Sequence, residues 1–304
     1  MRFALAQATR IGGRAMNEDR VGFWQTPDAA LMAVADGLGG HLHGEIAAEM
    51  AIGLFGAVFH REAQPRLADP AAFLARAMAA AHAAILREGQ RLDLPETPRT
   101  VIVACVVQDG HAWWMHVGDC RLYLIREGRI VSRTRDHTVV QRLIDEGRIR
   151  EEAIASHPDR NRLLQCLGGY LAPTPDAAER MRLARGDVLL LCSDGFWGPL
   201  TQRQMLHSLL ARSLEAAIPE LAELAETRGG PLADNVSVLA MTWGEEEVEP
   251  SVPPAAEALA PTPERTVVED FTATDLDFMR MSDEDIEKAI EEIRAALRRN
   301  PPPQ

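Results

Sequence analysis

The sequence predicts an α+β fold built in layers. Short apolar runs bounded by turn signals recur as strands up to residue 243, and long helical segments stand between groups of strands. Few regular strand-helix-strand alternations occur, which argues against a doubly wound sheet. In chain order, Ala30 to Ala35 is a strand, because an unbroken apolar run stops at Asp36-Gly37. Helices follow at Glu45 to His60 and Pro70 to Arg91, where apolar residues continue far beyond strand length. Strands return at Thr100 to Val107, Ala112 to Val117, Leu122 to Arg126 and Arg129 to Arg133. The last two form a hairpin around Glu127-Gly128, since glycine in a short polar gap supplies the positive φ that such turns require. A helix at Val139 to Glu146, a strand at Val188 to Cys192, a helix at Glu215 to Arg228 and a closing strand at Val236 to Trp243 complete the unit.

Composition narrows the class. The chain has 304 residues, 46% hydrophobic and 25% charged, enough for a sizeable core. No apolar stretch reaches the roughly 18 to 20 residues of a membrane helix, and Met1 to Ala6 is too short for a signal peptide's apolar core. A cytoplasmic protein is expected, with no membrane partner. Cys105, Cys120, Cys166 and Cys192 show no CxxC spacing and read as unpaired, buried or half-buried thiols of a reducing compartment. Of the net charge of -13, residues 245 to 304 carry 16 acidic and 6 basic residues, or -10, leaving -3 for the rest. The acidity belongs to the tail, and a nucleic-acid partner is not expected.

The domain boundary falls near Gly244, dividing 1-243 from 244-304. Beyond it, "GEEEVEPSVPPAAEALAPTPERT" has no periodic apolar face and reads as an extended linker. An amphipathic helix then begins at Ser282, with Asp285 completing a capping box and Ile286, Ile290, Ile293 and Leu297 on one face. That stripe calls for burial against the parent domain, a second copy or another protein.

Three predicted strands run out into an acidic residue beside glycine: "VADG" with Asp36, "HVGD" with Asp119 and "CSDG" with Asp194. A fourth, Asp234 in "ADNVSV", opens the closing strand. Asp-Gly can simply turn a chain. Four carboxylates at strand ends, with glycine allowing close backbone approach, are also how a fold gathers oxygen ligands around hard divalent ions. His41-x-His43 lacks the further ligands of a zinc site, and the glycines after Asp36 lack the Lys-Ser/Thr of a phosphate loop.

With these residues in place, the sequence resembles the metal-dependent protein serine/threonine phosphatases of type 2C, the PPM family, in its bacterial branch. The matching pieces occur in family order across residues 7 to 243: "GRAMNEDR", "VADGLGGHLHGEIAAEMA", "HVGDCRLYLIREGRI", "RTRDHTVVQRLIDEGRI", "NRLLQCLG", "GDVLLLCSDGFWGPLT" and "DNVSVLAM". The resemblance implies a four-layer α-β-β-α sandwich, two antiparallel sheets flanked by helices, as a catalytic domain over 1-243. At one end of it a two-metal site takes manganese or magnesium, with a third, weaker site possible in bacterial members. By position, Asp36 bridges both metals, Gly37 offers its carbonyl, Glu18 serves the same metal as Gly37, and Asp194 and Asp234 hold the other. Asp119 joins Asp194 at the third site, Arg14 pairs with the substrate phosphate, and Asp19 and Asn235 support the ligands from behind. The implied reaction is hydrolysis of phosphoserine or phosphothreonine on proteins by a metal-bridging hydroxide, opposing a bacterial Ser/Thr kinase.

Three departures stand out. Leu38 replaces the His that serves animal members as general acid, leaving that proton to water or His41, which otherwise supports the turn. "GDSR" becomes Gly118-Asp119-Cys120-Arg121, which would expose an oxidisable thiol if Cys120 were accessible, and "GTT" becomes Pro98-Arg99-Thr100. Arg148 to Arg162 falls at the family's flap beside the site. Two rival readings remain: a catalytically silent sensor or scaffold acting through its tail, and a hydrolase of small phosphoesters. The intact set Glu18, Asp36, Asp194 and Asp234 speaks against the first.

Overall fold

The computed structural model describes residues 1–38, 43–176 and 178–244. The linker, the tail helix, the residues to which self-association was assigned, and His41 therefore lie outside the described residues. Ten strands make two five-stranded sheets. One sheet runs β1 (Phe3–Arg10), β10 (Val236–Trp243), β9 (Val188–Cys192), β6 (Arg121–Arg126), β7 (Arg129–Arg133). The other runs β2 (Arg20–Gln25), β3 (Ala29–Gly37), β4 (Thr100–Gln108), β5 (His111–Val117), β8 (Glu179–Arg182). Every pairing is antiparallel.

Strand periodicity sorts the side chains into layers. Alternate residues of β3 and β4, such as Met32, Val34, Val101 and Val103, face Leu189, Leu191, Leu239 and Met241 of the opposite sheet. Their neighbours Leu31, Ala33, Ile102 and Ala104 face outward onto α1 (Gly44–Glu62) and α2 (Pro70–Arg91). On the far side, Leu190, Val238 and Ala240 pack under α5 (Gln202–Ala211) and α6 (Leu214–Gly229), with Met205, Ile218 and Leu221. Strands buried on both faces explain why β3 and β4 read as continuous apolar runs. The result is the four-layer α-β-β-α sandwich.

Helix ends are set locally. Asp69 accepts a hydrogen bond from Ala72 N at 3.0 Å and Pro70 opens α2, while Thr201 and Gln204 form a reciprocal capping box on α5. The hairpin between β6 and β7 turns through Glu127 and Gly128, at φ of 48° and 72°. α3 (Val139–Asp145) begins at Thr138, and α4 (Asp194–Trp197) is one turn that starts at the third predicted Asp. β9 and the closing strand β10 match the predicted bounds to the residue; β1, β2, β8, α4 and α5 add to the predicted set.

Candidate metal centre

The layers bring the predicted acids to one end of the sandwich, between the sheets. Asp36 lies at the end of β3 on the face of Val34, which points toward the other sheet. Asp119 follows β5, Asp194 follows β9, and Asp234 precedes β10. In an antiparallel sandwich these positions share an end. The consequence is electrostatic: Asp36 is held well above the carboxylate range, first by burial and then by Asp19, Asp194, Asp119 and Asp234. Burial likewise raises Asp119, with Asp194 and Asp136 adding to it, and moves Asp194 up to about 6.

Glu18 and Arg14 arrive on the segment between β1 and β2, which Asn235 anchors. The Asn235 side chain donates to the carbonyls of Ile11 and Met16 at 2.8 and 3.0 Å and accepts from Glu18 N at 2.8 Å. Gly37 N donates to Glu18 O at 3.2 Å, so Glu18 is tied to the end of β3 as well. Close packing here requires glycine: a Cβ on Gly44 would sit 2.6 Å from Glu18 Oε2. Burial, then Glu45, raise the Glu18 pKa. Arg14 donates to Asp234 Oδ2 at 2.7 Å, and both side chains remain partly open to solvent.

Asp19 occupies the interior behind these groups. Its Oδ2 accepts from Ser193 Oγ at 2.7 Å, and Ser193 Oγ in turn accepts from Ser237 N at 3.0 Å. Burial pushes the Asp19 carboxyl up to about 7 against the hydrogen bonds that favour its charge. Thr100 Oγ1 donates to Asp36 O at 2.7 Å, fixing the strand end.

This arrangement suits hard divalent cations. The donors are oxygens, and after burial the like charges of neighbouring acids raise the carboxyls of Asp36, Asp119 and Asp194, with Arg14 at Asp234 a cation that faces them. Asp194 Oδ1 and Asp19 Oδ1 are buried without a hydrogen-bond partner among the described residues. Among the described residues no three His, Cys, Asp or Glu side chains close on a common point. The acids are in electrostatic reach of one another, short of a drawn-in ligand set.

Sequence reasoning missed the groups that brace Asp119 and Asp194. Arg121 makes a bidentate pair with Asp136 at 2.6 and 2.8 Å and bonds Tyr123 Oη at 3.1 Å. Its guanidinium lies 3.4 Å from the centre of the Trp197 ring, and Trp197 Nε1 donates to Asp119 O at 3.0 Å. Trp197 is distant from the others in sequence, and only the "GDCR" and "SDGFW" runs hint at the arrangement. His116 and His137 stack at 4.3 Å, and His137 Nδ1 accepts from Gly118 N at 3.2 Å. Cys120 is fully buried and its thiol pKa is raised by that burial, so the exposed, oxidisable thiol is not found. Cys105 and Cys192 are also buried free thiols, and Cys166 is half-buried.

Comparison with known proteins agrees with this fold. The family model described as "Protein phosphatase 2C" matches residues 6–227. Serine/threonine protein phosphatase PstP of Mycobacterium tuberculosis is 37% identical over 241 residues, 79% of this chain but 44% of PstP. The chain thus spans less than half the length of that relative. A putative protein phosphatase 2C-type of Streptococcus pyogenes is 31% identical over 78% of this chain and 95% of its own. A crystal structure of the PstP catalytic domain in complex with two manganese ions superposes with a TM-score of 0.67 at 32% identity, covering 79% of this chain and 97% of that one.

Proposed function

This chain belongs to the protein phosphatase 2C family, and from that premise we propose that it is a metal-dependent protein serine/threonine phosphatase. The observation that supports this most directly is the set of acids Asp36, Asp119, Asp194 and Asp234 at one end of the sandwich, with Arg14 at its open edge. Residues 1-243 are the catalytic domain in this reading.

Asp36, Gly37 and Glu18 would hold one cation, Asp36, Asp194 and Asp234 the other, and Asp119 with Asp194 a third, weaker one. Manganese or magnesium fits an oxygen donor set. When bound, such ions lower the pKa of water and offset phosphoryl charge. Arg14 presents a planar fork that fits two phosphoryl oxygens, and its bond to Asp234 orients that fork toward the acids. Asn235 fixes the backbone of Glu18, while Asp19, through Ser193, fills the space behind the acids and keeps water out of it. Trp197 and Arg121 hold the Asp119 loop against α4.

The substrate is then a phosphoserine or phosphothreonine protein, with a Ser/Thr kinase or its targets as the opposing partner. The unpaired buried thiols support a reducing, cytoplasmic setting, and among the described residues no helix is long and apolar enough to cross a membrane. The stripe in residues 282 to 299 serves a partner protein, a second copy or the parent domain.

The deciding experiment is hydrolysis of a phosphothreonine peptide and p-nitrophenyl phosphate with manganese, magnesium or chelator, beside Asp36→Asn. Turnover should need the metal and fall at least a hundredfold in the variant. Turnover that survives chelation, or near-normal turnover in the variant, would refute the assignment; metal binding without turnover would favour the sensor or scaffold. A protein ending at Gly244 should keep metal-dependent turnover, and an insoluble product would place the tail in the core.

A further inference from the structure

Ten large apolar side chains are exposed among the described residues, and six of them lie on segments bonded to those that carry the acids. That concentration is unexpected for solvent-facing positions, where single apolar residues are normally scattered. The six form two banks. On the Arg14–Asp234 side stand Ile11, Met16 and Leu232, the last 91% exposed. Asn235 binds the carbonyls of Ile11 and Met16, and Gly13 N donates to Ala233 O at 2.9 Å, fixing the turn that carries Leu232.

On the Gly37–Asp119 side stand Leu164, Tyr170 and Leu171, the last two 82% and 85% exposed. Leu164 N donates to His137 O and His137 N to Gly118 O, each at 2.8 Å, so Leu164 is one layer from Asp119. Leu167 pairs with Thr100, which pairs with Gly37. The root of the Tyr170 loop is set by Gly168: it takes φ of 77°, packs on the Pro98 carbonyl where a Cβ would collide, and donates to His82 Nδ1 at 3.2 Å. Burial lowers the pKa of His82 to about 4, so the imidazole is neutral and free to accept that bond. Arg99 continues the alternation of Val101 and Val103 past the start of β4, and its guanidinium stands 5.6 Å from the Tyr170 ring centre. An exposed tip on a fixed root is a prearranged contact, which lowers the ordering cost of binding.

Resting on the phosphatase reading, we propose that these banks receive a phosphorylated polypeptide segment carrying a large apolar side chain on each side of the phosphoresidue. The phosphate goes to Arg14 and the acids between the banks, and the flanking side chains cover Leu232 on one side and Tyr170 and Leu171 on the other. A small phosphoester would reach the centre without touching either bank. Arg99 is a positioning residue for Tyr170, at the place where this chain departs from "GTT".

The full chain with manganese tests this on three substrates: a phosphothreonine peptide flanked by leucines, a peptide of equal length and charge flanked by serines, and p-nitrophenyl phosphate. The leucine peptide should exceed the serine peptide about tenfold in kcat/KM, mostly through KM. Tyr170→Ser with Leu171→Ser, and separately Leu232→Ser, should each cut that ratio severalfold. These positions are exposed, and an unchanged thermal midpoint would confirm that each variant folds. Equal rates on both peptides, or a preference that persists in both variants, would overturn the inference while hydrolysis of p-nitrophenyl phosphate kept the phosphatase reading intact. No hydrolysis of any of the three would overturn both.

Discussion

Stripped of divalent cations, the protein should lose stability as pH rises from about 4 to about 7. Asp19 supplies one share of the effect, because burial holds its carboxyl at about 7 instead of the ordinary 3.8, and Asp36 and Asp119, also raised by burial, act in the same direction. Below pH 3.8 Asp19 is protonated in both the folded and the unfolded chain and contributes nothing. Between those values the unfolded chain releases the proton and the folded one keeps it, so each pH unit costs about 1.4 kcal/mol. Above 7 Asp19 is ionised in both states and its own penalty levels off at about 4 kcal/mol, a large part of the 5–15 kcal/mol that holds a typical domain together. Asp194, raised to about 6 by burial and then by Asp234, acts in the same direction. Urea unfolding followed by tryptophan fluorescence in chelator should give a free energy lower at pH 8 than at pH 5 by at least about 2–3 kcal/mol, the share of Asp19 alone. Manganese should shrink the difference by supplying the missing positive charge, and Asp19→Asn should make the profile less steep, since an amide does not titrate. A profile in chelator that is flat or rises with pH, or a slope unaltered in Asp19→Asn, would refute the reasoning.

Two further outcomes follow from the site. Arg14→Ala should raise KM for phosphopeptides about tenfold with a smaller change in kcat, and an unchanged KM in steady-state kinetics would remove Arg14 from the phosphate site. Asp136→Ala leaves Arg121 buried without its carboxylate and should cost about 3–5 kcal/mol in denaturant unfolding. A loss under about 1 kcal/mol would mean that Tyr123 and the Trp197 face suffice to hold the guanidinium.

Much of this was legible in the sequence because the central strands are buried on both faces. β3, β4, β9 and β10 carry uninterrupted apolar runs, and the acids stand at the ends of those runs where the pattern breaks. β1 and β2 were harder: Phe3–Arg10 mixes small and polar residues, and its partner strand lies more than 200 residues away, so no local pattern marks it. α5 has only Met205 fully buried, and its clearest sign was the capping box of Thr201 and Gln204. In the centre, chemistry that depends on a run of motif residues was readable, whereas Ser193, Ser237 and Asp136 act through hydrogen bonds to residues outside their own motifs. Nothing in a linear pattern distinguishes a serine that braces an aspartate from one that faces water.

The pairing of β1 with β10, from Phe3 opposite Trp243 to Arg10 opposite Val236, sets the order in which the protein becomes competent. Arg14 and Glu18 follow the first strand, whereas Asp234 and Asn235 precede the last, so the two halves of the centre meet only when the chain has closed on itself. Contacts of such long sequence separation form slowly, after local helices and hairpins. During synthesis, an emerging chain would hold Asp36 and Asp119 long before it had Asp234, and it would have neither the Arg14–Asp234 pair nor the Asn235 anchor. Onset of turnover during refolding therefore reports docking of the final strand, and a half-made copy is silent toward phosphoproteins by construction.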